Sequence, residues 1–163
     1  PAFYPDLAAA NCRLVIMHAV QGRGRAQQVP VAAAEIWPRI EAFFDQRVEA
    51  LEAAGIGHER LVLDPGMGFF LSSDAGASVA VLSDLDRLKR RFGLPVLISV
   101  SRKSFLAALT GRQNPMARGA ATLTAELYAA DNGADFIRTH DPGALRDALN
   151  VLTALRREGI ATG

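Results

Sequence analysis

One cysteine in 163 residues excludes an intrachain disulfide, and Cys12, close to Leu14, reads as a small buried apolar residue. Neither sign of charge is in excess. The net charge is +1 with acidic and basic residues interspersed, so the chain carries no electrostatic footprint for nucleic acid. No apolar run approaches membrane-spanning length and no stretch has the make-up of a signal peptide. Neither nucleic acid nor membrane is therefore an expected partner, and the expected compartment is cytoplasmic. Three histidines and no cysteine cluster fall short of the ligand spacings of zinc sites, so no metal site is expected within the chain. No Gly-x-Gly-x-x-Gly follows the first strand pattern and no Gly-x-Ser-x-Gly elbow occurs. Those absences argue against a dinucleotide-binding fold and a serine hydrolase. What the chain does have is 50% hydrophobic and 21% charged residues, the balance of a folded domain large enough to bury a core. Its one basic run, residues 87–91, ends a helical pattern, where cations complement the helix dipole and face solvent.

An apolar run of strand type is followed four times by a helical pattern. Strands are expected at residues 13–17, 60–63, 95–100 and 135–139. After the first comes a Gly- and Gln-rich loop, residues 21–30, expected to be mobile. Ile40, Phe43, Phe44, Val48 and Leu51 then recur at helical spacing, with Gly55 as the stop. Pro38 fits a first helical turn, which places that helix start near Trp37. Val81, Leu82, Leu85 and Leu88 predict the next helix, closing at Phe92 and Gly93. The third strand leads to a short helix through Phe105 to Leu109 and a longer one bearing Leu123, Leu127 and Ala130. The fourth leads to a helix with Leu145, Leu149, Leu152 and Leu155, for which Asp141 is the N-cap and Pro142 the first-turn proline.

This alternation implies an α/β fold with parallel strands. His18, Asp64, Ser101 and His140 mark the strand ends, 46, 37 and 39 residues apart, one βα unit each. Polar groups at four successive strand ends favour the single mouth of a TIM-type (β/α)₈ barrel over an open sheet with one switch point. Leu14, Ile16, Leu61, Leu63, Leu97 and Ile137 are expected on the inner face. A complete barrel takes roughly 250 residues, and the chain opens at Pro1, so the expectation is four βα units of something larger.

Each strand end carries distinct chemistry. Asp64, between an apolar strand and Pro65-Gly66, is a partly desolvated carboxylate that wants paired donors. The amino and ring N–H groups of a flat heterocycle would serve, as would an arginine; a helix cap or salt bridge is the plainer role. Gly66 and Gly68 allow close backbone approaches. Phe69 and Phe70 cannot easily both be core at a loop tip, so one is expected to face a ligand or act as a lid. Lys103, flanked by Ser101, Arg102 and Ser104, is a point donor for a carbonyl, ring nitrogen or carboxylate. Arg138 and His140, two apart on one strand, share a face. A guanidinium can lie against a heterocycle or grip phosphate, and His140 opens onto a helix whose positive end favours an anion. Met17 reads as an apolar wall, His18 as either supporting or structural, and His58 as exposed.

Met17-His18, Asp64-Pro65-Gly66-Met67-Gly68-Phe69, Ser101-Arg102-Lys103-Ser104, Asn132-Gly133-Ala134-Asp135 and Arg138-Thr139-His140-Asp141, in this order, resemble the motifs of dihydropteroate synthases, the folate-pathway enzymes that sulfonamides target. The local wording is most similar to the sulfonamide-resistance type. The resemblance implies a homodimeric, pterin-binding (β/α)₈ barrel that condenses 6-hydroxymethyl-7,8-dihydropterin diphosphate with 4-aminobenzoate and releases pyrophosphate. It implies that Asp64, Lys103, Arg138 and His140 are catalytic, and that pterin is bound by Met17, Asp64, Gly66, Gly68, Phe69, Lys103 and Arg138. Arg138 and His140 would hold pyrophosphate; Phe69, Lys103 and Ser104 would hold aminobenzoate. Mg²⁺ would accompany the pyrophosphate, its ligand lying outside this chain. Residues 1–163 would then be the C-terminal half of the barrel, its N-terminal half absent, and activity of this piece alone is not expected. A related pterin-barrel methyltransferase, which should lack Ser101-Arg102-Lys103-Ser104, and a non-catalytic pterin- or anion-binding half-barrel are the alternatives.

Overall fold

The computed structural model describes the backbone of residues 2–20 and 30–161 and the side chains up to residue 157. Most of the loop expected to be mobile, residues 21–29, lies outside the described residues. In chain order the elements are α1 (Tyr4–Ala9), β1 (Leu14–Met17), α2 (Ala33–Glu52), β2 (Leu61–Asp64), α3 (Ala75–Ser83), α4 (Asp86–Phe92), β3 (Leu97–Ile98), α5 (Ser104–Thr110), α6 (Gly119–Asp131), β4 (Phe136–Ile137) and α7 (Pro142–Ala161).

All strand pairing among the described residues is parallel. β1 pairs with β2 from Leu14↔Leu61 to Met17↔Asp64, and β3 with β4 through Leu97↔Phe136 and Ile98↔Ile137. A Leu63–Val96 bridge, with the Leu63 N–H on Pro95 O at 2.9 Å, joins the two pairs in chain order. Regular strand is shorter than the apolar runs predict, but the ladder continues past it: the Arg138 N–H reaches Ile98 O at 2.9 Å.

The register corrects the expected faces. Ile16, Leu61, Leu63, Val96 and Ile98 are buried with Ile36, Ile40 and Phe44 of α2 and with Val81, Leu85 and Leu88 of α3–α4. They face the helices, as does the less deeply buried Leu14. The other face carries Val15 (52% exposed), Met17 and Phe136 (40% each), with Val62, Asp64, Ser99, Ser101, Arg138 and His140 in the same parity. Of the six residues expected inside, only Leu97 lies on that face.

Three further expectations are revised. α2 begins at Ala33, four residues before Trp37, and takes Pro38 into its interior; burial of Ile36 and Trp37 offsets the hydrogen bond the proline lacks. The Val81–Leu88 pattern is two helices, broken at Asp84 and Leu85. Cys12 is exposed, because residues 10–13 run over the surface. There the Arg60 guanidinium collects Leu7 O (2.8 Å), Ala8 O (3.0 Å), Ala10 O (2.6 Å) and Cys12 O (2.9 Å), capping α1, a helix the hydrophobic pattern does not announce. Other expectations hold. Asp141 caps α7, its Oδ1 accepting the Ala144 N–H at 3.0 Å, and the basic run of α4 is solvated, with Arg87 and Arg91 paired to Glu41 and Asp45 of α2.

Candidate active site

Asp64 ends β2 on the open face of the sheet and is only 3% exposed. Its backbone continues into a turn that admits no side chain. Gly66 has φ +74°, and a Cβ there would sit 2.5 Å from His18 O. The Gly66 N–H donates to Asp64 Oδ1 at 2.8 Å, leaving lone pairs of the carboxylate free. Burial pushes the Asp64 carboxyl above the usual carboxylate range, while the Gly66 N–H, Arg138 and Lys103 pull it back. Three strand ends thus share one field, a carboxylate from β2 between a lysine after β3 and an arginine after β4.

His18 holds this turn from below. It is buried, its ring Nδ1 donates to Pro65 O at 3.0 Å, and its backbone N–H donates to Asp64 O at 2.8 Å. Burial, reinforced by Arg39, lowers the imidazole pKa against the Pro65 bond. His18 thus bonds to the turn that follows Asp64. Met17 beside it is 40% exposed on the face that carries Asp64.

Lys103 is half-buried. Burial lowers its pKa and Arg138 adds to that, with Asp64 opposing. Its ammonium sits 4.9 Å from the centre of the Phe70 ring, a cation–π contact. The two loop phenylalanines therefore divide: Phe70 supports the lysine, and Phe69, 38% exposed, stands free. Gly68 brings this loop against the next, since a Cβ there would lie 3.0 Å from Ser104 Oγ. Between them opens a cavity of about 640 Å³ lined by Phe69, Phe70, Lys103, Ser104, Gln113 and Arg118, among others, with no acidic side chain in its described lining.

Arg138 and His140 project from one face, two residues apart. Arg138 Nε donates to Ser99 Oγ at 3.2 Å. Ser101 Oγ accepts the His140 N–H at 3.2 Å and lies 2.8 Å from the ring Nδ1. With the hydroxyl proton on Nδ1 the ring presents Nε2–H outward; with Nδ1–H donating to the hydroxyl it presents an acceptor. Ser104 and His140 line different cavities.

Two contributors have no motif to reveal them. Arg118 is buried with no carboxylate partner among the described residues; it donates to Arg112 O, Arg102 O, Lys103 O and Gln113 O, and so clamps the turn that presents Lys103. That turn bends through Arg102 at φ +58°, its N–H held by Thr122 Oγ1 at 3.0 Å, while the Arg102 guanidinium lies on Met116. Ser78, fully buried, accepts the Gly68 N–H at 3.0 Å.

The chain matches the family model described as pterin-binding enzyme over residues 1–140. The chain belongs to the pterin-binding enzyme family. It is 59% identical over 155 residues to dihydropteroate synthase type-2 of Escherichia coli, a match covering 95% of this chain and 56% of that protein. The structure is similar to dihydropteroate synthase from Stenotrophomonas maltophilia with active-site-bound imidazole, with TM-score 0.86 and 33% identity over 94% of this chain and 56% of that one. It is also similar to the Xanthomonas albilineans enzyme in complex with 7,8-dihydropteroate, with TM-score 0.81 and 35% identity over 96% of this chain and 56% of that one. The chain thus spans about half the length of the relatives it matches, and its α/β fold of parallel strands covers part of their barrel. Among the described residues, no helix is long and apolar enough to cross a membrane.

Proposed function

We propose that residues 1–163 form the C-terminal half of a dihydropteroate synthase barrel, four βα units whose open mouth binds a dihydropterin and its leaving pyrophosphate. The observation that carries this reading is the buried Asp64 carboxylate in the shared field of Lys103 and Arg138. An acceptor flanked by donors suits one flat ring with N–H groups on one edge and a carbonyl on the other. Asp64 takes the amino and ring N–H groups, Lys103 the carbonyl side, and Arg138 lies along the ring, with Met17 and Phe69 as walls; Gly66 and Gly68 let the loop approach. Arg138 and His140, near the start of the 20-residue α7, face the pyrophosphate. The cavity beside Phe69, Lys103 and Ser104 suits the carboxylate of 4-aminobenzoate, since its described lining holds cations and hydroxyls but no acid.

The chemistry follows from charge. As pyrophosphate leaves, positive charge spreads into the pterin ring, where Asp64 stabilises it while Arg138 and His140 stabilise the departing anion. The neutral aromatic amine then attacks the methylene carbon and loses its proton. Positioning and preorganised charge suffice, with no covalent nucleophile on the protein.

Among the described residues, no cluster of three His, Cys, Asp or Glu side chains is placed to hold a metal ion. The Mg²⁺ that this chemistry implies does not fit them, and no step here runs through it. The cytoplasm, a homodimer and a sulfonamide-resistant type complete the proposal, the last supported by the likeness to the type-2 enzyme. The test joins this chain to the upstream half of that enzyme and measures dihydropteroate formation from dihydropterin diphosphate and 4-aminobenzoate. Turnover that disappears with Asp64→Asn supports the reading. A folded chimera that binds neither substrate refutes it.

A further inference from the structure

Three cations line the cavity beside Ser104, and they differ in what balances them. Lys103 shares the field of the Asp64 carboxylate. Arg102 is half-buried, and its guanidinium lies on the exposed Met116. Arg118 is only 7% exposed, and among the described residues no carboxylate pairs with it. Its bonds all go to neutral carbonyls: Arg102 O at 2.7 Å and Lys103 O at 3.3 Å before α5, and Arg112 O at 2.9 Å and Gln113 O beyond it. The guanidinium thus bridges the two ends of α5, the helix that begins at Ser104, and the Lys103 carbonyl it holds belongs to the peptide leading into that serine. Carbonyl dipoles solvate a buried guanidinium but do not neutralise it. A net positive charge therefore stays in the wall of the cavity, whose described lining holds no acidic side chain.

We propose that Arg118 is a specificity-determining residue for the second substrate: its uncompensated charge selects an aromatic amine that carries a carboxylate over one that is neutral at the same position. This rests on the proposed seat of the aminobenzoate carboxylate beside Ser104. With its fork turned onto the backbone, the guanidinium offers a ligand its field rather than a bidentate grip. That suffices in a partly dry cavity, where attraction between unit charges several ångströms apart is screened far less than in water. The ligand in turn supplies the counter-charge that the cavity wall lacks. An arginine that merely held the turn would have no such preference, and the two roles part in experiment.

Calorimetric titration of the 163-residue chain with 4-aminobenzoate and with 4-aminobenzamide, which has nearly the same shape and no charge, gives the preference as a ratio of affinities. The native ratio should be at least about tenfold in favour of the carboxylate, and Arg118→Met should bring it to within about twofold of unity. Arg118→Lys keeps the charge and should keep most of the ratio, although a lysine cannot span four carbonyls. Gln113→Glu leaves the clamp intact, because the clamp uses the backbone carbonyl of that residue, and it adds an acid to the lining; it should cancel the preference. Should Arg118→Met not fold, Gln113→Glu and Arg118→Lys decide. A role confined to holding the turn would lower both affinities together, leave the ratio alone, and make Arg118→Lys as poor as Arg118→Met; that result overturns the proposal, as does a native ratio in Gln113→Glu. A dihydropterin titrated in parallel keeps the readings apart. A chain that binds pterin without preferring the carboxylate overturns the role of Arg118 and leaves the pterin site standing. A chain that prefers the carboxylate and ignores pterin does the reverse, and one that binds neither overturns both.

Discussion

Arg138 and Ser99 stand opposite each other on neighbouring parallel strands, Nε to Oγ at 3.2 Å, and two residues on the same register sets His140 against Ser101. Each cationic or donor group from the β4 ladder is thus steadied by a serine from the β3 ladder. Serine is short enough to hold the base of a long side chain and leave its far end free.

Ser101→Ala is expected to weaken pyrophosphate binding about three- to tenfold, the equivalent of roughly one hydrogen bond. The His140 Nδ1 and N–H lose their common partner, while the pterin contacts of Asp64 stay in place. Calorimetric titration with pyrophosphate and with a pterin separates the two. A parallel loss of both affinities would show that Ser101 acts on the whole mouth rather than on His140.

Asp64 should set a pH dependence of stability with an unusual sign. Its carboxyl pKa is raised in the folded state above the ordinary value of 3.8. The folded state therefore binds more protons between those two values, and stability falls as pH rises through that window. Asp64→Asn removes the slope and is expected to be the more stable form at neutral pH, although its ligand affinity falls. Urea midpoints at pH 3.5, 5 and 7 check this; a native protein that gains stability across the window relative to Asp64→Asn contradicts it.

Gly66→Ala and Gly111→Ala place the same methyl group on backbones of similar φ, +74° and +72°. At Gly111 nothing lies within 4 Å, whereas at Gly66 the His18 carbonyl oxygen is 2.5 Å away. Gly111→Ala should cost about 1–2 kcal/mol for the left-handed conformation alone. Gly66→Ala should exceed it by at least about 2 kcal/mol, because backbone must move. Denaturant unfolding of both variants measures the difference directly.

Most of the strand and helix order is legible in the chain, since apolar runs ending in Asp64, Ser101 or His140 alternate with helical spacing. The faces of the strands are harder to read. A parallel strand under helices is apolar on both sides, so Leu61-Val62-Leu63 shows no alternation. Asp64 itself holds the missing information: a strand-end carboxylate at the mouth forces Leu63 to the opposite face, and the pairing Met17↔Asp64 carries that parity to Val15. Pro38 misleads because buried Ile36 and Trp37 outweigh the rule that prolines start helices. The clamp of Arg118 on four carbonyls depends on tertiary approach and leaves no local signature.

The open face of the sheet makes a prediction about the polypeptide on its own. Val15, Met17 and Phe136 are 52%, 40% and 40% exposed, on the face that would line a closed barrel. Covering each would contribute up to about 1.5–3 kcal/mol. The 163-residue chain alone should therefore self-associate, and sedimentation equilibrium should find a species heavier than one chain. Addition of the complementary upstream half of the type-2 relative should return it to a defined complex. A strictly monomeric chain at micromolar concentration would count against the half-barrel.

The central claim is that Asp64, with Lys103 and Arg138, recognises a pterin, and calorimetric titration of the protein with a dihydropterin tests it most directly. The account predicts saturable binding of one ligand per chain. Asp64→Asn should weaken it at least tenfold, since a charge-assisted hydrogen bond contributes about 1.5–3 kcal/mol, and Lys103→Ala should weaken it to a similar degree. Native affinity in a folded Asp64→Asn variant would contradict the account.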